Sequence, residues 1–391
     1  MNYRTDKYGN SLSILGFGCM RFPKKMGATD FAETEREVML AINKGINYFD
    51  TAYIYPRSES VLGEILEKNG VRNKINIATK LPHYLIKKNE DFERIFNEEL
   101  KRLRTDHVDY YLMHMLTDID TWKRLVSLGV EEWLAKKTEC GQIKQVGFSY
   151  HGNSDMFCTL VDARNWDFCM IQYNYMDENT QAGRRGLEYA NKKGLPVMIM
   201  EPLRGGKLAN PPEKAKKIME RYIPSHTPAQ WSFLWLWDQP EVTVVLSGMN
   251  SEQMILDNVA TASSAKTGFM GDAERAMLAD VVKAINSKIK VGCTGCGYCV
   301  PCPKNVDIPG TFAAYNRAKS EGKIPGLIDY FMCTALRPTS TAASQCVGCG
   351  KCEKHCPQKI EIRKQLKEAS KYLEGPLYKT ARKVAKIFVK M

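Results

Sequence analysis

Apolar runs alternate with amphipathic helical patterns through the first two thirds of the chain. Between the runs, apolar residues recur at three- and four-residue spacings and predict helices, for instance at 34–44, 58–68 and 92–103. The apolar runs themselves predict eight strands, near 15–22, 47–52, 75–81, 108–116, 143–150, 168–175, 195–203 and 242–249. Eight strand-helix units over roughly 265 residues fit a (β/α)8 TIM barrel, an α/β fold of about 250 residues. Residues 3–13 predict a hairpin ahead of it.

Polar side chains that can do chemistry follow three successive predicted strands. Asp50 ends the second strand, Lys80 the third and His114 the fourth, while Tyr55 lies in the loop after Asp50. Ser58 is predicted to cap the helix that follows this loop. Barrel enzymes carry their chemistry at the carboxyl ends of the strands. Each residue alone has an ordinary structural explanation, but the four together, in this order, favour an active site.

The stretch NYFDTAYIYPRSESVLG at 47–63, with Lys80 and His114, resembles the aldo-keto reductase family. The resemblance implies a catalytic tetrad of Asp50, Tyr55, Lys80 and His114. Tyr55 would donate a proton to the developing alkoxide of a small carbonyl or alcohol substrate. A free tyrosine has a pKa of about 10, so we expect the neighbouring Lys80 ammonium to lower it. Asp50 would hold Lys80 in place, and His114 would orient the carbonyl.

The same resemblance implies NAD(H) or NADP(H), bound at the later strand ends. Ser149 and Gln172 would hold the nicotinamide carboxamide, and the loop after strand seven suits a pyrophosphate. The implied contacts are Gly18, Met20, Ser149, Gln172, Pro202, Leu203, Arg204, Gly206, Lys207, Ser247, Gly248 and Asn258. This chain departs from the family in having Met200 where an aromatic often stacks, and Met254 where an arginine often binds the 2'-phosphate. These departures weaken the prediction of NADPH and leave FMN open.

Eight of the thirteen cysteines form two tight groups near the C-terminus. The groups are Cys293, Cys296, Cys299 and Cys302, followed by Pro303, and Cys346, Cys349, Cys352 and Cys356, followed by Pro357. The second group has the bacterial ferredoxin spacing C-x2-C-x2-C-x3-C-P, and the first is one residue shorter. Because structural zinc usually takes two separated C-x2-C pairs, we predict two [4Fe-4S] clusters, with zinc as the weaker alternative. By the ferredoxin rule Cys356 joins the first three cysteines, and Cys302 joins 346, 349 and 352.

The predicted organisation is a barrel at 1–266 followed by a second domain at 267–391. The second domain comprises a linker helix near 272–289, a small, mainly α-helical two-cluster ferredoxin-like part, and a basic C-terminal helix. Between the cysteine groups, 311–320 has a helical pattern, which resembles α-helical ferredoxins. With GFGCMRFP at 16–23 and MEPLRGGKL at 200–208, the whole chain is similar to a ferredoxin-like branch of the aldo-keto reductases.

Positive charge is concentrated in the same C-terminal part. The net charge is +12, and residues 288–391 hold 19 basic and 7 acidic side chains, so the rest of the chain is balanced. We expect an acidic ferredoxin or flavodoxin as partner, docking on the basic face of helix 378–391, which carries Lys379, Lys383, Lys386 and Lys390. A membrane-surface role for this helix ranks lower, and no nucleic-acid partner is expected. No apolar run has membrane-spanning length and no signal-peptide core begins the chain, so a cytoplasmic location is expected.

Hydride transfer moves two electrons whereas each cluster carries one, so coupling the two needs a relay such as a flavin. Three functions therefore stay open. The first is a carbonyl reductase whose clusters connect it to an electron carrier. The second is a flavin-dependent oxidoreductase with FMN in the barrel mouth. The third is an electron-transfer protein whose barrel is structural. The complete tetrad favours the first over the third.

Overall fold

The structure is a computed structural model that describes most of the chain. It covers residues 1–389 except 153, 224, 288, 294, 296–298, 336–339 and 357–358, and for 385–389 it describes the backbone only. Two compact units are present, one of residues 1–211 with 219–278 and the other of residues 212–218 with 279–391. The domain boundary at 266/267 that we expect from the sequence stays a prediction.

Eight parallel strands close into a barrel in which neighbours in sequence are neighbours in space. Their bounds are Leu15–Gly18, Tyr48–Asp50, Asn76–Leu81, Val108–Leu116, Ile143–Tyr150, Phe168–Gln172, Val197–Met200 and Val242–Ser247. The predicted (β/α)8 barrel is therefore confirmed. Strands one, two, six, seven and eight end earlier than predicted, because the chain there turns away into loops that carry candidate site residues.

Helices of this first unit follow the strands. They are α1 (Phe31–Asn43), α2 (Ser58–Asn69), α3 (Glu90–Leu103), α4 (Ile119–Ser127), α5 (Val130–Glu139), α6 (Ser154–Asp162), α7 (Gly183–Lys192), α9 (Pro228–Trp237) and α10 (Glu252–Ser264), while α8 (Glu213–Tyr222) has residues of both units. The predicted cap of α2 is wrong. Arg57 occupies the cap position with φ of 60°, and Ser58 is the first helical residue. Its hydroxyl instead donates to the backbone oxygen of Cys19 at 2.9 Å.

The barrel interior is filled by large side chains, so it is a packed core and not a channel. Tyr48 and Phe168 both pack against Tyr110, with ring centroids 5.1 Å apart in each pair.

The predicted N-terminal hairpin is present as strands Tyr3–Thr5 and Ser11–Ser13. Asp6 in its turn accepts a hydrogen bond from the Tyr110 hydroxyl at 2.7 Å. The hairpin therefore covers the end of the barrel core opposite the carboxyl ends of the strands.

The second unit is helical. After α11 (Asp272–Asn286), which crosses from the first unit, come α12 (Ile308–Ser320), α13 (Lys323–Thr334), α14 (Lys351–Lys354), α15 (Ile362–Leu373) and α16 (Pro376–Val389). Buried side chains of α12, α13 and α15, including Phe312, Tyr330 and Leu366, form its core. No strand occurs among its described residues, which agrees with the helical ferredoxin type. Within the described part of the chain, no helix is long and apolar enough to cross a membrane.

Candidate active site

Three of the four predicted catalytic side chains lie at the carboxyl ends of adjacent strands. Asp50 is the last residue of strand two, Lys80 lies one residue from the end of strand three, and His114 lies near the end of strand four. Tyr55 belongs to the turn before α2, where its backbone N–H donates to the Ala52 oxygen at 3.0 Å. The closed barrel therefore brings all four residues to one end of the fold.

Lys80 is the centre of this cluster and is almost fully buried. Its Nζ donates to Asp50 Oδ2 at 2.6 Å and to the backbone oxygen of Thr51 at 2.7 Å. The same Nζ lies 5.1 Å from the centroid of the Tyr55 ring. One ammonium group is thus held by a carboxylate and a carbonyl while it faces the phenol.

Electrostatics keep Lys80 charged in spite of its burial. Burial alone would lower the pKa of Lys80, but the Asp50 carboxylate and the Tyr55 phenol outweigh it and raise the pKa above the ordinary value. Burial raises the pKa of Asp50, and Lys80 opposes that rise. A pair in which each charge offsets the burial of the other is stable only while both partners are present.

Tyr55 differs from the expectation in the net direction of its pKa. Burial raises the pKa of Tyr55, and the Lys80 ammonium lowers it by less. The predicted effect of Lys80 is present, but desolvation of the phenolate is larger. Tyr55 therefore keeps its proton at neutral pH and can act as an acid.

His114 is the second polar side chain beside Tyr55, with its ring centroid 6.2 Å away in an edge-on arrangement. Burial first, and then the charges of Lys80, His151 and His83, lower the pKa of His114 to about 2. The imidazole is therefore neutral. Two buried atoms of the tetrad, His114 Nδ1 and Asp50 Oδ1, have no hydrogen-bond partner among the residues that the structure describes.

Positioning residues that the sequence analysis missed tie the Tyr55 loop to the strands. Thr51 Oγ1 and Ser58 Oγ are 2.8 Å apart, and the Thr51 N–H donates to the Ala78 oxygen at 2.8 Å. Since Ser58 also reaches Cys19, the loop is fixed to strand ends one, two and three. Thr51 lies within the stretch 47–63, directly after Asp50. That place in the sequence could have indicated its positioning role.

Ser149 and Gln172, which were predicted to bind the nicotinamide carboxamide, already form hydrogen bonds within the protein. Ser149 Oγ accepts from the backbone N–H of Met115 at 2.8 Å. Gln172 Nε2 donates to Asp177 Oδ2 at 3.3 Å, and Gln172 Oε1 accepts from Gln181 Nε2 at 2.8 Å. These contacts orient both side chains at the strand ends and leave the Ser149 hydroxyl hydrogen to donate.

Arg204, in the loop after strand seven, lies in a left-handed turn. Arg204 has φ of 51°, and Gly205 and Gly206 continue the positive values at 69° and 91°. The Arg204 Nε lies 3.1 Å from Asp177 Oδ2. The backbone N–H groups of Arg204 and Gly206 already donate to the Glu201 and Leu203 oxygens, at 3.0 and 2.9 Å, so the turn offers an anion mainly its side chains. The other predicted contacts of this loop, Pro202, Leu203 and Lys207, belong to the same turn.

Arg21 is a cation of this region that the sequence analysis missed. It lies between two glycine loops: a Cβ on Gly248 would be 3.0 Å from Arg21 Cδ, and one on Gly205 would be 3.6 Å from an Arg21 terminal nitrogen. The available signal was its place in GFGCMRFP. A Cβ at Gly18 in the same motif would be crowded, since it would lie 3.3 Å from the Ser247 backbone oxygen. Met20 next to it is 62% exposed.

The predicted adenosine end lies at strand eight and α10. Asn258 Nδ2 donates to Ser247 Oγ at 3.2 Å, and both residues are buried. Met254 is 48% exposed in the first turn of α10 and brings no charge. Its neighbour Glu252 is acidic and lies 4.0 Å from Arg36. Met200 is half-buried and packs against the barrel core.

The second unit brings described cysteines of both C-terminal groups together. One cavity of about 330 Å³ is lined by Cys302, Cys346, Cys349 and Cys352, which are the four cysteines expected around one cluster, and by Cys299. Cys293 and Cys356 pack at the edge of the helical core, and Cys296 lies outside the described residues. None of the described cysteines forms a disulfide. A roomy cavity with thiols from both sequence groups fits a [4Fe-4S] cluster.

Both parts of the chain match models of known protein families. The model of the aldo/keto reductase family matches residues 14–267, and that of a 4Fe-4S dicluster domain matches residues 292–361. An uncharacterized oxidoreductase of Bacillus subtilis, YqkF, is 24% identical over 323 residues, covering 73% of this chain and 97% of that protein. Glyoxal reductase of the same organism is 24% identical over 260 residues, covering 65% and 85%.

Solved structures share the barrel. An aldo-keto reductase from Bacillus halodurans, in its holo form, superposes with a TM-score of 0.59 at 22% identity, covering 72% of this chain and 96% of that one. An aldo-keto reductase from Klebsiella pneumoniae in complex with NADPH gives 0.58 at 20% identity, again covering 72% and 96%. The chain belongs to the aldo/keto reductase family, and it carries a 4Fe-4S dicluster domain after the barrel.

Proposed function

We propose that the barrel interconverts a small carbonyl compound and its alcohol with a nicotinamide cofactor, and that the clusters link the protein to a one-electron carrier. One observation carries the first part. The buried Lys80 is paired with Asp50 at 2.6 Å and faces the Tyr55 ring at 5.1 Å. A phenol next to a fixed ammonium is suited to proton donation to a developing alkoxide.

In the reducing direction, the substrate carbon gains a hydride and its oxygen gains a proton. The nicotinamide, when bound, supplies the hydride. Tyr55 supplies the proton, since its raised pKa keeps the hydroxyl protonated at neutral pH. The phenolate left behind forms beside the Lys80 ammonium, which is already in place and requires no reorganisation.

His114 contributes orientation to this reaction. With a pKa near 2 it is neutral, so it brings no positive charge that would compete with Lys80. A neutral imidazole offers one N–H donor and one acceptor nitrogen. We assign to it a hydrogen bond that holds the carbonyl oxygen near the Tyr55 hydroxyl.

The loops of strands seven and eight would hold the cofactor's phosphates. Arg21 and Arg204 would supply positive charge to a pyrophosphate, and Gly206, where a Cβ would have no atom within 4 Å, leaves room for it. At the adenosine end, Met254 offers no cation and Glu252 would repel a 2'-phosphate, so we propose no strong preference for NADPH over NADH. FMN could use the same phosphate-binding groups, but no described contact selects it.

The cysteine groups would hold two [4Fe-4S] clusters, which supply one-electron exchange when bound. We propose an acidic ferredoxin or flavodoxin as the carrier, because the C-terminal part of the chain holds the whole positive excess. Any coupling to the barrel reaction requires a relay that splits an electron pair, and flavins are the chemical class that does so.

Replacing Tyr55 with Phe tests the barrel reaction. With 4-nitrobenzaldehyde as the probe carbonyl, we expect Tyr55→Phe to lower kcat by about 10²- to 10⁴-fold, the usual contribution of a general acid. The Kd for NADH, measured by fluorescence titration, should stay nearly unchanged, because the hydroxyl acts mainly in the transition state.

Tyr53→Phe is the matched control, because it removes a hydroxyl from the same loop that donates to Glu98 at 2.7 Å, away from Lys80 and Asp50. Its turnover should stay within about twofold of wild type. Near-normal turnover in Tyr55→Phe would refute the tetrad and favour a structural barrel.

A further inference from the structure

Two neighbouring cavities of the second unit share part of their lining. The cysteine cavity described above and an open groove beside it are both lined by Cys346, Val347 and Arg363. The groove continues along α15 past Lys367 and Lys371. The cysteine cavity has Lys304 and Lys351 in its wall. We call this continuous surface the cluster face, defined by Lys304, Val347, Lys351, Arg363, Lys367 and Lys371.

The pattern of α15 explains why its cations point to this face. Arg363, Lys367 and Lys371 recur every four residues, which places them on one side of the helix. The other side is buried through Ile362, Leu366, Ala369 and Leu373. Because packing fixes the apolar side in the core, the cationic row is held next to the cysteine cavity.

Most of these cations lack a compensating acid. Arg363 pairs with Glu353, with Nε and Oε2 2.9 Å apart. Lys304, Lys351, Lys367 and Lys371 form no ion pair with any residue in the described part of the chain. Each of them is also exposed. Four unpaired positive charges are therefore left along the two cavities, two on each.

An apolar side chain lies among these charges. Val347, directly after Cys346, is 62% exposed and lines both cavities. Exposed lysines alone are ordinary on a protein surface, and so is a single exposed valine. Their convergence on the cavity of four cysteines is what distinguishes this surface. An apolar centre with a charged rim is the usual composition of a protein docking site.

We propose that the cluster face is the docking surface for an acidic one-electron carrier protein. This inference rests on the proposed link of the clusters to such a carrier and adds where the carrier binds. Opposite charges raise the rate of encounter and orient the partners. Docking on this face would bring the carrier's redox group next to the cavity of Cys302, Cys346, Cys349 and Cys352.

This location differs from the C-terminal helix that the sequence suggests. Lys379 and Lys383 are exposed, but they line neither of the two cavities. The side chains of Lys386 and Lys390 lie outside the described residues. The row on α15 flanks the cysteines directly, and therefore we assign the docking role to it.

The test measures binding of an acidic [2Fe-2S] ferredoxin to the full chain with its clusters in place. Titration calorimetry at about 50 mM salt should give a Kd at least tenfold weaker for Lys367→Glu/Lys371→Glu than for wild type. At about 1 M salt the difference should shrink to less than threefold, because the Debye length falls to about 3 Å. Stopped-flow electron transfer from the reduced ferredoxin should slow in parallel, and iron content should match wild type.

The matched control is Lys379→Glu/Lys383→Glu, which makes the same charge change on α16. Its Kd should stay within about threefold of wild type. Equal weakening in both double variants, or weakening only in the α16 variant, would overturn the cluster face. The proposal would also be wrong if the α15 variant lost binding to anionic phospholipid vesicles but bound ferredoxin as wild type does. That result would make this face a membrane contact.

Failure of this inference is separable from failure of the proposed function. If wild type exchanges electrons with ferredoxin but ignores the α15 charges, only the docking surface is wrong. If wild type neither binds nor exchanges with ferredoxin, both the docking surface and the carrier link fall, while the Tyr55→Phe result still decides the barrel reaction.

Discussion

Lys80 shows how a single residue sets the chemistry of the barrel mouth. Its ammonium is buried with a carboxylate, a carbonyl and a phenol around it, so its charge is fixed in place before any substrate arrives. The same charge helps to keep His114 neutral, and it opposes the rise in the pKa of Tyr55. One cation thus lowers the pKa of both neighbours, although burial has the larger effect on each.

These pKa directions predict how carbonyl reduction depends on pH. Tyr55 must be protonated, and its pKa is raised, so activity is lost only as pH rises above about 10, the ordinary tyrosine value. His114, with a pKa of about 2, stays neutral throughout. We expect kcat for 4-nitrobenzaldehyde to be flat between about pH 6 and 9.

A profile of His114→Gln provides the control, because it should have a lower kcat but the same flat shape. If kcat of wild type fell below about pH 6.5 and that of His114→Gln did not, the imidazole would not be neutral as inferred.

At the scale of elements, α3 packs on α5 through Trp133 and on strand four through Tyr111, which lies 5.2 Å from Phe96 between ring centroids. Phe92 and Phe96 each lie 5.5 Å from Trp133, measured between ring centroids. Glu99 is fully buried on the same face, where its Oε2 accepts from the Tyr111 hydroxyl at 2.8 Å. Burial and the nearby Glu59 raise the pKa of Glu99 well above its ordinary value. An ionised carboxylate here would weaken the attachment of α3.

The buried acid predicts a pH dependence of stability. Because the folded state raises the pKa of Glu99, it binds more protons than the unfolded state above about pH 4.3, and stability falls as pH rises. Glu99→Gln keeps an acceptor for Tyr111 and does not titrate. As pH rises, the free energy of unfolding of Glu99→Gln should therefore fall less steeply than that of wild type. The two slopes should differ by up to about 1.4 kcal/mol per pH unit.

Urea unfolding followed by tryptophan fluorescence at several pH values between about 5 and 8 measures this difference. All six tryptophans belong to the barrel unit, so the signal reports that unit alone. Glu90→Gln, at the exposed start of α3, is the control and should keep the wild-type slope. Parallel slopes for wild type and Glu99→Gln would show that Glu99 is ionised in the folded protein.

The whole molecule joins a charge-balanced barrel to a basic, cysteine-rich helical unit. The tetrad is built entirely from residues of the first unit, and the described cluster cysteines all belong to the second. Each unit has its own buried core. Loss of a cluster should therefore alter the second unit before it alters the barrel.

The cluster content of the second unit can be tested at Cys349. Anaerobically prepared wild type should hold about eight irons, and Cys349→Ser about four, with one cluster remaining in the electron paramagnetic resonance spectrum of the dithionite-reduced protein. Cys333→Ser is the control, because Cys333 lies in the same unit outside both cysteine groups, and it should retain all the iron. Stoichiometric zinc with negligible iron in wild type would overturn the assignment of the metal.

Features that depend on local patterns were predictable from the sequence. The eight strands follow from apolar periodicity, and the two-cluster domain follows from cysteine spacing, because each signal lies within a short stretch of chain. The order of Asp50, Tyr55, Lys80 and His114 along three strands predicts their convergence, since the carboxyl ends of parallel strands meet at one end of a barrel. The tetrad's catalytic roles still await the Tyr55 experiment.

Features that depend on distant contacts were decided only by the tertiary structure. Ser58 bonds Thr51 and Cys19 instead of capping α2, because strand one passes beside it. The pKa of Tyr55 rises because desolvation outweighs the Lys80 charge, and the balance depends on how deeply the loop is buried. Arg21 reaches the loops at Gly205 and Gly248 only because strands one, seven and eight are neighbours. Sequence patterns specify which residues are available, but burial and long-range proximity decide what each one contacts and which charge it carries.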